Sequence, residues 1–73
     1  MITITNLSNS FLVDTDGVKY QFPRGSVIAI RSDKSDTVDL KGTATRKTVL
    51  SIDAKDTSYS DADELLAALE GMQ

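Results

Sequence analysis

The 73-residue chain has no cysteine, no histidine and no tryptophan, and it carries one proline and four glycines. Without cysteine, neither a disulfide nor a thiolate centre can form. The missing histidine removes the commonest zinc ligand and the usual general base near neutral pH. Two tyrosines and two phenylalanines are the only aromatic residues available for an interior. No apolar run reaches the roughly 18 residues of a membrane span, and the start MITITNLSNS lacks the basic head and apolar core of a signal peptide. The expectation is a soluble protein outside the usual secretory route, with no membrane partner. The net charge is -3, and acidic and basic residues are mixed along the chain. Nucleic-acid binding needs a concentrated positive face for phosphate neutralisation, so no specific nucleic acid is expected either.

A domain of this length buries only about 60% of the surface its unfolded chain exposes. A core alone supplies roughly 3–5 kcal/mol at this size, and small domains add disulfides, metal or oligomerisation. With the first two set aside, assembly with other chains is the support that remains.

Hydrophobic periodicity organises what is present. Ile2 and Ile4 alternate with Thr3 and Thr5, the pattern of a half-exposed strand. Asn6–Ser10 is turn chemistry, and Ser10–Asp14 suits a second strand with Phe11 and Val13 on one side. Asp16-Gly17 between two apolar stretches marks a tight hairpin, because both central positions tolerate positive φ. Val18, Tyr20 and Phe22 then alternate with Lys19 and Gln21 in a third strand. Pro23-Arg24-Gly25 breaks the ladder. Ser26–Arg31 is almost continuously apolar, which predicts a central strand buried on both faces. Ser32–Asp36 is a polar turn, Thr37–Lys41 alternates with Val38 and Leu40 inward, Gly42–Thr45 is a break, and Arg46–Ala54 is the last strand, with Leu50 and Ile52 inward.

Residues 60–71 carry the one helical pattern. Ser60 is the expected N-cap, and Asp61, Asp63 and Glu64 suit the positive end of the helix dipole. Ala62, Leu65, Leu66 and Leu69 recur at i, i+3, i+4 and i+7 on one face, and Gly71 supplies the stop. The expected fold is mainly β, a small antiparallel barrel or sandwich of about six short strands with one C-terminal helix. It forms a single domain over 1–73: β-rich 1–54, a turn at 55–59 and a helix at 60–71.

Candidate chemistry is sparse. Asp14-Thr15-Asp16-Gly17 has the spacing that opens a calcium loop, but the next residues, Val18 to Phe22, supply no further oxygen ligands. Hairpin chemistry accounts for it. Asp33, Asp36 and Asp39 are spread over a loop and a strand and read as solvated charge. No serine or threonine has a histidine beside it, and no nucleophile elbow or phosphate loop is present. The chain is therefore expected to be noncatalytic and to need no cofactor or metal. Arg46-Lys47 reads as strand-edge solvation, and Phe11, Tyr20 and Phe22 as core rather than as a stacking platform for bases.

The stretches SVIAIRSDKSDTVDLKG and RKTVLSIDAKDTSYSDADELLAALEGM, about the last two-thirds of the chain, resemble small structural proteins of tailed bacteriophages, particularly those infecting Bacteroidetes. The matching residues are Asp56, Thr57 and Ser58 after a strand, then Glu64, Leu65, Leu66 and Leu69 in a short helix. The chain departs from that pattern at Lys55-Asp56-Thr57, which has no aliphatic residue between, and at Tyr59, where proline is common. The resemblance implies a multicopy virion component, a head, neck or tail accessory, decoration or adaptor subunit whose partners are other virion proteins and copies of itself. The helix either closes an open end of the chain's own fold or reaches across to a neighbouring copy; the first is expected for Leu65 and Leu69, with Leu66 and Met72 the candidate subunit contacts. The alternative is a small cytoplasmic ligand- or peptide-binding β-barrel taking an added strand at a groove lined by Phe11, Tyr20 or Arg46.

Overall fold

A computed structural model describes residues 1–73. Six strands form two three-stranded antiparallel sheets. The first holds β1 (Ile2–Asn6), β2 (Ser10–Thr15) and β3 (Val18–Pro23) in that order. The second holds β4 (Val27–Arg31), β5 (Thr37–Gly42) and β6 (Thr48–Asp53). A single 3₁₀ turn at Ala54–Asp56 then leads to the helix α1 (Ala62–Glu70). Each sheet is a meander of consecutive strands, and the two are not closed into a barrel, so of the two expected architectures the barrel is excluded.

The first hairpin forms where the turn chemistry places it. Thr15 pairs with Val18 across a two-residue turn. Asp16 and Gly17 take φ values of 55° and 100°, the mirror-image turn that matches strand twist. The Asp14 carboxylate accepts the Gly17 N–H at 2.8 Å and braces the turn from inside. Space around Gly17 is open, with nothing within 4 Å of a Cβ built there. Gly17→Ala should therefore cost only the backbone strain, about 1–2 kcal/mol, read as a lower urea midpoint with an unchanged slope.

One cluster of eleven buried apolar residues holds the molecule together. The first sheet contributes Phe11 and Val13; the second contributes Val27, Ala29, Val38, Leu40 and Ile52. Ala62, Leu65 and Leu69 enter from α1 and are fully buried, while Leu66 is half-buried. The helix thus packs on the second sheet of its own chain, along β4 and β5.

Two expectations are corrected. Ser26–Arg31 is not a central strand: β4 lies at the edge of its sheet, with Val27 and Ala29 buried and Ile28 42% exposed. The helix lies along β4 and covers its inward residues, and β5 takes the central place with only alternate positions apolar. A continuous apolar run marks burial on one side by a helix as readily as burial inside a sheet. The helix also begins one residue later than expected. Asp61, not Ser60, is the N-cap, its carboxylate accepting the Glu64 N–H at 2.8 Å, while the Ser60 hydroxyl donates to the Glu64 carboxylate. Gly71 ends the helix in right-handed conformation at φ -69°.

Candidate contact surface

Three features, none legible from residue type alone, position the exposed surface. The first is Arg24, half-buried in the turn between the two sheets. Its guanidinium donates to the carbonyls of Ser8 at 3.2 Å, Leu7 at 2.7 Å and Met72 at 2.6 Å, and to the Asn6 side chain. Its backbone N–H donates to the Asn9 carbonyl at 3.1 Å. One planar fork therefore ties the β1–β2 loop to the segment after α1, which a point-charge ammonium could not do.

The second is Asp36, expected to be solvated charge. It sits in the β4–β5 turn at φ 56°, and its carboxylate accepts the Ala62 N–H at 2.8 Å, at the first turn of α1. Its carbonyl accepts from the Ala54 N–H at 3.0 Å. Asp36 and Asp61 together occupy two donors at the helix start that the helix itself leaves free. Asp36→Ala should cost about 1–2 kcal/mol, the range for losing a helix cap, measured by thermal denaturation; Asp33→Ala, at an exposed neighbouring position, is the control.

The third is a separation of charge that the linear sequence conceals. Along the strand direction the molecule has two ends. At one, Asp14 and Asp16 lie at the β2–β3 hairpin, Asp33 and Asp36 in the β4–β5 turn and five acidic residues in the stretch from Asp53 to Glu64, nine of the chain's eleven, against the four basic residues Lys19, Arg31, Lys34 and Lys55, of which Arg31 pairs with Asp63. The Met1 ammonium lies there, 2.5 Å from Asp16. Its pKa is raised by the hydrogen bond and charge of Asp16, with Asp56 and Asp14 close enough to add. That proximity places the hairpin turn beside the stretch leading to α1. At the opposite end lie Arg24, Lys41, Arg46 and Lys47, with Glu70 at the end of α1 as the acidic residue among them, so the two ends differ in net charge rather than in sign of every residue. Thr43 joins the two loops there, its hydroxyl donating to the Gly25 carbonyl at 2.9 Å and its N–H to the Ser26 carbonyl at 3.0 Å. A shallow depression of about 400 Å³ opens at this end, lined by Ile28, Lys41, Gly42, Thr43 and Arg46.

The residues singled out in the sequence distribute as follows. Asp14 braces the hairpin and Asp39 accepts from the Ser51 hydroxyl at 2.7 Å; Asp53, which no sequence motif marks, accepts the Lys55 N–H at 3.0 Å. Each of these carboxylates is engaged in a structural hydrogen bond. Phe11 is fully buried, so it lines no groove; Tyr20 is on β3 and 37% exposed; Arg46 is in the β5–β6 loop. Leu66 and Met72 are half-buried and packed against the core, leaving only part of each side chain on the surface. Larger apolar exposure lies elsewhere, at Val18 (57%) on β3 and at Ile28 and Val49 on the second sheet. Comparisons with protein-family models, curated proteins and solved structures find no match.

Proposed function

We propose that this chain is a noncatalytic structural subunit that works through protein–protein contacts in a multicopy assembly. The observation that carries this reading is the open architecture: two three-stranded sheets with unpaired outer strands, and Val18, Tyr20, Ile28 and Val49 exposed on them. Unpaired edges and exposed aliphatics are the features through which sheets join other chains. The five buried or half-buried residues of α1, Ala62, Leu65, Leu66, Ala68 and Leu69, support the same reading differently, since they stabilise the fold in cis against β4 and β5 and leave the edges of β1, β3 and β6 free to bind. The resemblance of the C-terminal two-thirds to small virion proteins of tailed phages supports placing the assembly in a phage particle, built in the host cytoplasm. The exposed remainders of Leu66 and Met72 would contribute a second contact. Co-sedimentation with assembled phage heads and tails tests the proposal. Recovery of the chain with the particles is the expected result; a chain that stays in the supernatant with both would overturn it.

A further inference from the structure

We infer that the protein pairs with a second copy of itself through the free edge of β3, the two β3 strands running antiparallel with Tyr20 facing its own symmetry mate. This deepens the assembly reading by naming one of its contacts.

The four outer strands are not equivalent, because natural sheets usually blunt their edges with bulges, charge or covering elements. Here β4 is covered by α1, and the β5–β6 ladder shifts register at Leu40/Lys41. On β1, Ile2 and Ile4 are half-buried and Thr3, Thr5 and Asn6 face solvent. β3 carries one edge charge, Lys19, and ends in Pro23, but it pairs with β2 in unbroken register over six residues, has no covering element and is exposed at every position except half-buried Phe22. Its apolar residues stand on the side of the sheet that carries Phe11 and Val13, and the Tyr20 and Phe22 rings stack with centroids 6.4 Å apart. The inner apolar face of the first sheet thus continues past the core to an edge that nothing in the chain covers.

The hairpin fixes which backbone groups are free. A two-residue turn makes Thr15 and Val18 a hydrogen-bonded pair, and alternation then directs the backbone groups of Val18, Tyr20 and Phe22 toward β2. Those of Lys19 and Gln21 point to the open side. Centring the pair on Tyr20 sets Lys19 against the partner's Gln21, so all four N–H and C=O pairs are used. Centring on Lys19 would oppose two ammonium groups, and centring on Gln21 would set Lys19 against a proline that has no N–H. Charge favours the same arrangement. Because β3 runs from the acidic end toward the basic end, an antiparallel neighbour brings each copy's acidic end beside the other's basic end, which assists encounter and orientation. The contact is isologous and closes on itself as a two-fold dimer.

Sedimentation velocity on the full chain up to millimolar concentration should show a dimer that weakens as salt is added, and amide exchange at Lys19 and Gln21 should slow as the dimer forms. Lys19→Pro removes one outward N–H per copy without touching the β2 ladder, and should raise the dimer Kd about tenfold. Tyr20→Lys, which sets two ammonium groups together at the axis, should abolish the dimer with the circular dichroism of the folded domain retained. A monomer at every concentration would overturn the inference, as would a dimer that leaves exchange at Lys19 and Gln21 unchanged. A monomer that still joins phage particles would overturn this inference alone; a β3 dimer that joins none would overturn only the virion reading.

Discussion

Leu65→Ala should leave the domain on the verge of unfolding at room temperature. Leu65 is fully buried where α1 packs along β4 and β5, and it belongs to the single apolar cluster of the fold. Removing a buried leucine side chain costs about 2–5 kcal/mol, with the upper end reached where surroundings cannot collapse into the space. Here the walls are strands locked in register and a nine-residue helix capped at its start, which favours the upper part of that range. A domain of this size has a total stability on the order of 5 kcal/mol. Urea denaturation followed by circular dichroism should therefore show a midpoint close to zero denaturant. A loss under about 1 kcal/mol would mean that α1 contributes little to the core.

Arg24→Ala should be the most damaging substitution outside the core, at about 2–3 kcal/mol. The guanidinium makes three hydrogen bonds to carbonyls and one to the Asn6 side chain. A charged hydrogen bond is worth about 1.5–3 kcal/mol, but these share one half-exposed group, and water replaces part of what is lost. The effect therefore falls well short of four separate bonds. Arg24→Lys should recover less than half of the loss, since an ammonium cannot reach Leu7, Ser8 and Met72 together. Thermal denaturation of the two variants side by side provides the measurement. Equal stabilities for Lys and Ala would support the fork geometry, whereas full rescue by Lys would reduce the role of Arg24 to its charge.

The strands and the helix were legible because they rest on local rules. Period-two alternation marked β1, β3 and β5, Asp16-Gly17 marked the turn, and the spacing of Ala62, Leu65 and Leu69 marked the buried helix face. What escaped is what depends on distant partners. Nothing in the neighbours of Asp36 signals that its carboxylate will meet the Ala62 N–H, 26 residues away. Nothing around Arg24 signals a bond to Met72, 48 residues on. The place of Ser26–Arg31 is hidden for a related reason: its side chains report burial, and only the tertiary fold tells whether a strand or a helix provides it. The charge separation was equally hidden, because antiparallel strands fold an evenly mixed sequence so that alternate turns share one end.

The meander connectivity has a consequence for kinetics. Every strand pairs only with its immediate predecessor or successor, across short turns, so both sheets can form from contacts that cost little loop closure. The bond from Arg24 to the Met72 carbonyl spans nearly the whole distance from the sheet junction to the end of α1, and it can close only once the helix has docked. It is therefore expected to form in the last step of folding. Its loss should accordingly appear in the unfolding rate, with the refolding rate almost unchanged: the clamp governs how long the native state survives, and the turns govern how quickly it is reached.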